Sequence, residues 1–266
     1  MTAFVETLSG ESRALHSTLP CTLLHRGPQP PEAVLYLLHG GFSHHGEWAE
    51  RMDLLGMVSA WRLAVALPEG DSSLWIRGED GRDFERYAAF DVPEAVEAHL
   101  GVQLGPERRA VAGVSMGGQG AFLLGLSYPE RYAAVASLSG AFGITWWNLG
   151  RRPDSPFLQA LGPLGSETRA RVDPFRALAE AAGRQGATRL PPLWLSTGEQ
   201  DDLEVTEVHR GLHAALEAAQ VVHTYREAPG GHHWDFWARE TPALLAFVAE
   251  ALRLQPTVTS APPGPR

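Results

Sequence analysis

The 266-residue chain is 44% hydrophobic and 20% charged, enough to bury one large core, and its formal net charge is −9. No basic cluster interrupts that acidity, which argues against nucleic acid as a partner. All 22 basic residues are arginine, which excludes Schiff-base lysines, a Walker-A lysine and a Ser–Lys dyad.

Loose alternation over residues 4–25 predicts one or two edge strands. After the turn-rich Gly27–Pro31, the continuous apolar run Ala33–Leu38 reads as a buried parallel strand that stops at His39-Gly40-Gly41-Phe42-Ser43. A helix is predicted from about Glu47 to Ser59, a second apolar strand over Leu63–Leu67, and a helical stretch from about Phe84 to Leu100 that Pro93 bends or restarts. The next strand ends at Ser115 and passes directly into a helix closed by Pro129, and Ala133–Ser139 is a further strand. Residues 141–190 read as an irregular insertion with one helical patch near Phe175–Ala182. Leu193–Ser196 is another buried strand, 204–219 has helical periodicity, Val221–Tyr225 is the last strand and Pro242–Leu254 the last helix. The Pro-rich tail 255–266 is expected to be disordered, leaving residues 1–254 as one domain.

Strands alternating with helices imply βαβ units, a mainly parallel sheet and an α/β fold. Ligands of such sheets bind beyond the carboxyl ends of the strands. Three of those ends carry reactive groups. Gly113-Val114-Ser115-Met116-Gly117 lies between a strand and a helix, the setting of a nucleophile elbow. The turn is tight enough to strain Ser115 and to press on positions 113 and 117, hence the two glycines. The strand at 193–196 leads into Gly198-Glu199-Gln200-Asp201-Asp202, and the last strand into Gly230-Gly231-His232-His233-Trp234.

A serine hydroxyl needs an adjacent base, itself oriented by a carboxylate. The order Ser, Asp, His is that of α/β-hydrolases. The chemistry accepts His232 or His233 as base. Either Asp201 or Asp202 can serve it, the other being free to cap the following helix. The Met116 N–H, at a helix start, is one oxyanion donor, and Gly41 the second, with Phe42 as its alternative. No histidine spacing matches a metal site, and neither a metal nor another cofactor is expected. Aromatic residues Phe142, Trp146, Trp147 and Phe157 of the 141–190 segment suggest a partial lid over an acyl pocket that also takes in Phe42 and Trp75.

These motifs resemble a known family. Ala112–Ala121, Tyr128-Pro129-Glu130-Arg131-Tyr132, Ser137–Gly140, Leu37-Leu38-His39-Gly40 and Gly230–Trp237 are similar to the esterase D-type α/β-hydrolases. That group holds tributyrin-type esterases, formylglutathione hydrolases and the antigen 85 mycolyltransferases. The resemblance runs from about residue 33 to 250 and implies Ser115 as nucleophile, His232 as base and Asp201 as orienting acid. The oxyanion loop lacks the Thr-Cys-Thr pattern of formylglutathione hydrolases, which leaves a serine carboxylesterase for short-chain acyl esters as the expected function. Acyltransferase or thioesterase activity of the same fold is the alternative, and a non-catalytic binding protein, which the intact Ser/Asp/His set argues against, ranks well behind both.

The single Cys21 forms no internal disulfide, the first residues carry no basic-then-apolar leader pattern, and no run is long enough to span a bilayer. The expectation is a cytoplasmic enzyme with a small-molecule ester substrate and no membrane partner, able to form a homo-oligomer.

Overall fold

A computed structural model describes residues 3–27, 29–144, 155–201, 203 and 205–256. Two antiparallel strands open it: β1 (Ala3–Ser12) pairs with β2 (Ser17–Arg26) from Ala3 opposite Arg26 to Ser12 opposite Ser17. The other strands are β3 (Ala33–Leu38), β4 (Leu63–Pro68), β5 (Arg109–Val114), β6 (Ala134–Leu138), β7 (Leu193–Gly198) and β8 (His223–Ala228). The eight form one sheet in the order β1-β2-β4-β3-β5-β6-β7-β8, parallel from β4 to β8.

Period-two alternation divides each central strand between two apolar layers. Val34, Tyr36 and Leu38 of β3 point into one core, and Ala33, Leu35 and Leu37 into the other. Helices cover both faces, which is why β3 and β4 are buried at every position. The helices are α1 (Glu47–Arg51), α2 (Leu54–Met57), α3 (Phe84–Arg86), α4 (Val92–Leu100), α5 (Met116–Ser127), α6 (Pro156–Leu161), α7 (Glu167–Arg171), α8 (Pro174–Gln185), α9 (Val205–Ala218) and α10 (Trp234–Ala251). Side chains of α4, α5, α8 and α9 fill the first core, those of α1, α2 and α10 the second.

The chain runs from β3 outward to β4 on one side and returns to β5 on the other, so the strand order reverses between β3 and β5. A parallel sheet opens a crevice at such a point, beyond the strand ends. Here those ends are His39 and Ser115.

Several elements differ from the sequence reading. The helix expected from about Glu47 to Ser59 is two short helices, α1 and α2, because Asp53 starts a new one by accepting the Gly56 N–H. The last strand runs His223–Ala228 rather than Val221–Tyr225. Helix α10 starts at Trp234, eight residues before Pro242, which lies inside it. Phe236 and Trp237 continue the apolar stripe of Thr241, Leu244, Leu245 and Val248, and burial of that stripe outweighs the proline's lost hydrogen bond. The described part of the 141–190 segment is largely helical: the Ser166 and Asp173 side chains cap α7 and α8, and α6 starts at Pro156. Pro93 does restart a helix: a π-turn over Tyr87–Asp91 precedes α4, with Pro93 in its first turn. Of the expected tail, residues 257–266 lie outside the described residues. No helix among the described residues is long and apolar enough to cross a membrane.

Candidate active site

Ser115 stands between β5 and α5, at the N-cap position of the helix, with φ 54° and ψ −116°, a strained conformation for a residue with a side chain. Its N–H donates to Leu138 O (2.8 Å), and its carbonyl accepts from Gln119 N–H and Ala141 N–H (both 3.0 Å). The flanking glycines are sterically required. A Cβ on Gly113 would collide with the Gly117 backbone, and one on Gly117 with the carbonyl oxygens of Leu38 and His39. The elbow is therefore wedged against the end of β3, and its hydroxyl projects over the crevice.

His232, in the loop between β8 and α10, joins the other two groups. Its Nε2 lies 2.8 Å from Ser115 Oγ and its Nδ1 2.8 Å from Asp201 Oδ2. The Asp201 side chain is fully buried and that of His232 only 10% exposed, so little water competes for these bonds. The carboxylate selects the tautomer with the proton on Nδ1, which leaves Nε2 free to accept from the serine. The imidazole ring also stands edge-on to Trp237 at 5.1 Å, and the Trp237 indole N–H donates to Ser139 Oγ (3.2 Å). His233 lines the same cavity but makes no bond to Ser115 or Asp201, serving as the N-cap residue of α10.

The other oxygen of the Asp201 carboxylate closes a turn ahead of α9. Oδ1 accepts the Leu203 N–H (3.1 Å) while Oδ2 faces His232. Asp202 lies outside the described residues. The two loops are latched together by three bonds of 2.9 Å: Glu199 N–H to Ala228 O, Gln200 N–H to Gly230 O, and Gly230 N–H to the Gln200 side-chain carbonyl.

On the other side of Ser115, His39 shapes the loop after β3. Its Nδ1–H donates to Gly40 O (2.7 Å), and its Nε2 accepts from Gly70 N–H (2.9 Å). Beside it, burial would raise the Glu69 carboxyl, but the adjacent His39 imidazole and hydrogen bonds from the Asp71 and His45 N–H groups outweigh that and hold it at about 2. The Phe42 N–H is taken by Ser72 Oγ (3.2 Å), which favours Gly41 over Phe42 as an inward-turned donor. Met116 N–H belongs to the first turn of α5, where an amide has no acceptor within the helix.

These groups line a cavity of about 490 Å³. Gly41, Met116, Ser115 and His232 form its polar end, and Phe42, Phe157, Trp234 and Trp237 its aromatic walls. Phe42 is 74% exposed and packs on Phe157 with ring centroids 5.0 Å apart. Trp75 and Phe142, expected in the pocket, do not line it. Trp75 is completely buried beneath Gly70 and Gly120 and donates its indole N–H to His39 O (3.2 Å), so it supports the oxyanion-side loop from below. Phe142 is completely buried between Phe122 and His209 in the core. Trp146 and Trp147 lie outside the described residues. Glu47, Ile144 and Trp234 were not legible as wall residues; the one hint was that Glu47 and Trp234 directly follow the two glycine-rich loops. Among the described residues no three His, Cys, Asp or Glu side chains are arranged to hold a metal ion.

The family model "Putative esterase" matches residues 11–248. An acetyl esterase of Caldicellulosiruptor saccharolyticus is 26% identical over 213 residues, covering 77% of this chain and 78% of the relative. Two Staphylococcus aureus structures share the fold: the fluorophosphonate-binding serine hydrolase FphF and the S-formylglutathione hydrolase FrmB. FphF superposes with a TM-score of 0.81 at 21% identity, covering 92% of this chain and 98% of its own. For FrmB the TM-score is 0.80 at 20% identity, with 93% and 99% covered. The chain belongs to the "Putative esterase" family and has the α/β-hydrolase fold.

Proposed function

We propose that the protein is a serine carboxylesterase that hydrolyses short-chain acyl esters through an acyl-enzyme on Ser115. The observation that carries this reading is the single imidazole of His232, 2.8 Å from both Ser115 Oγ and Asp201 Oδ2, at the polar end of an aromatic-walled cavity.

In the proposed reaction His232 Nε2 takes the Ser115 proton as Oγ attacks the substrate carbonyl. Negative charge collects on the carbonyl oxygen, facing the N–H groups of Met116 and Gly41. The intermediate collapses, the ester C–O bond breaks, and His232 returns the proton to the departing alcohol. A water molecule, deprotonated by the same imidazole, then attacks the acyl-enzyme and frees the acid and Ser115. Asp201 stays ionised throughout and stabilises the imidazolium. Phe42, Phe157 and Trp234 leave room for a small acyl group, and the 155–190 segment that supplies Phe157 acts as a partial cover.

The test is covalent labelling. A fluorophosphonate probe is expected on Ser115 by peptide mass spectrometry, and Ser115→Ala is expected to lose labelling and roughly 10⁴–10⁶ in kcat while keeping its fold. A panel of 4-nitrophenyl esters is expected to peak at short chains. Full esterase activity in Ser115→Ala would overturn the reading.

A further inference from the structure

Among the described residues lining the cavity, Glu47 is the only carboxylate and none is an arginine; His232 and His233 are the other ionisable groups. Glu47 sits in the first turn of α1 and reaches across to the histidine loop, where its Oε1 accepts the Trp234 indole N–H (3.0 Å). The Ser43 hydroxyl, just past the oxyanion-side glycines, donates to its Oε2. Both donors are neutral, so they fix the carboxylate in place without cancelling its charge. Among the described residues its one cationic partner is Arg51, one turn along α1, whose Nε and Nη2 lie 3.4 and 3.3 Å from Glu47 Oε1 and whose guanidinium lies over the Trp234 ring on the outer side. Arg51 does not line the cavity, and its side chain is 54% exposed against 18% for Glu47. Water therefore screens the cation more than the anion.

We propose that Glu47 makes this site selective by charge: it accepts neutral esters and rejects those carrying a carboxylate near the scissile bond. The inference rests on the proposed esterase function and narrows its substrate class. Two like charges within a partly desolvated cavity of this size repel strongly enough to cost roughly ten-fold or more in kcat/KM. Carboxylate-bearing thioesters of the S-formylglutathione type would accordingly be poor substrates, and small neutral alkyl or aryl esters good ones.

The experiment uses the full chain and two matched substrate pairs. On the acyl side these are methyl 4-nitrophenyl adipate and mono-4-nitrophenyl adipate, whose chain is too long for ready attack by its own carboxylate; on the leaving-group side, methyl 4-acetoxybenzoate and 4-acetoxybenzoate. Each rate is normalised to the ester's reactivity with hydroxide. The neutral member is expected to be favoured about ten-fold or more in at least one pair, and the gap is expected to shrink as salt is raised to about 0.5 M. Glu47→Gln keeps the shape and an acceptor for Trp234 but removes the charge; it is expected to close most of the gap by raising kcat/KM for the anionic member. Arg51→Gln, which removes the outer counter-charge, is expected to widen it. Equal normalised rates in both pairs for the native protein would overturn the proposal. So would a Glu47→Gln variant that slows both members alike, since that is the mark of a purely structural clamp. If Glu47→Gln does not fold, the salt series and Arg51→Gln decide. Failure to hydrolyse any neutral ester would instead remove the esterase reading beneath it, a result distinguishable from loss of charge selection alone.

Discussion

Gly198 and Gly230 meet back to back: a Cβ on Gly198 would be driven into the carbonyl of Gly230. Gly198 ends β7 three residues before Asp201, and Gly230 lies two residues before His232. The contact sets how far apart the acid-bearing and base-bearing loops stand. Gly198→Ala is therefore expected to push the loops apart, lowering kcat roughly 10- to 100-fold. Overpacking should also destabilise the fold by about 1–3 kcal/mol. Steady-state kinetics and thermal melting check both, and unchanged kcat would show that the spacing tolerates the extra methyl.

Asp201 holds His232 with one oxygen and the Leu203 N–H with the other. Asp201→Asn is expected to lose about 10⁴ in kcat, because an amide can present its N–H to the imidazole and favour the wrong tautomer. The turn bond costs little if the amide oxygen replaces Oδ1, so Asn should melt within a few degrees of the native protein. Asp201→Ala removes both bonds and is expected to lose about 1 kcal/mol of stability as well. A folded Asp201→Asn with near-native kcat would remove Asp201 from the orienting role.

Much of the fold was legible because its signals are local. The apolar run Ala33–Leu38, the glycines on either side of Ser115 and the loops after β7 and β8 each announce themselves within a few residues. The strand–helix alternation then places all three loops at one edge of the sheet, where Ser115, Asp201 and His232 now stand within bonding distance. What was not legible depends on which side of a wall a side chain faces. Trp75 and Phe142 carry the same aromatic signal as Phe157, yet they are buried below the site while Phe157 lines it. Nothing in composition separates a ring that meets substrate from one that props up the loop beneath it. Pro242 misled in a similar way, because an N-terminal rule for proline was outweighed by an apolar stripe reaching back to Phe236.

The buried ring of His209 gives the fold an acid-sensitive point. Burial pushes it from 6.5 down to about 4, with the Val205 carbonyl opposing that shift by accepting from Nδ1 (2.9 Å) and the Asp201 charge opposing it too. The folded state thus binds fewer protons than the unfolded one. Its stability is fully present above about pH 6.5 and declines as pH falls toward 4, by on the order of 3 kcal/mol if the whole shift is expressed. Glu69, held near 2, adds a loss of its own only below its ordinary value of 4.5. Melting temperature is therefore expected to fall between pH 7 and 4.5, and His209→Gln, which does not titrate, should show a flatter profile. Parallel pH profiles for the two proteins would sink this assignment.

Phe157 and Phe142 come from the same 141–190 segment but differ in exposure, and that difference predicts opposite phenotypes. Phe157, on α6, packs on the exposed Phe42 and lies so close to Gly41 that a Cβ there would strike its ring. Trimming it opens the cavity wall next to the proposed oxyanion donor. Phe157→Ala is expected to shift the preference toward longer acyl chains, roughly ten-fold in relative kcat/KM between butyrate and octanoate esters. Each added methylene that finds an apolar surface contributes up to about 0.8 kcal/mol. Because Phe157 is only partly buried, its loss should cost less stability than loss of a core ring. Phe142 is fully enclosed by Phe122, His209 and the Gly140 backbone. Phe142→Ala leaves a cavity in the core and is expected to cost about 3–5 kcal/mol with chain-length preference unchanged. If Phe142→Ala alters selectivity while Phe157→Ala alters only stability, the wall of the acyl pocket lies on the other side of the segment.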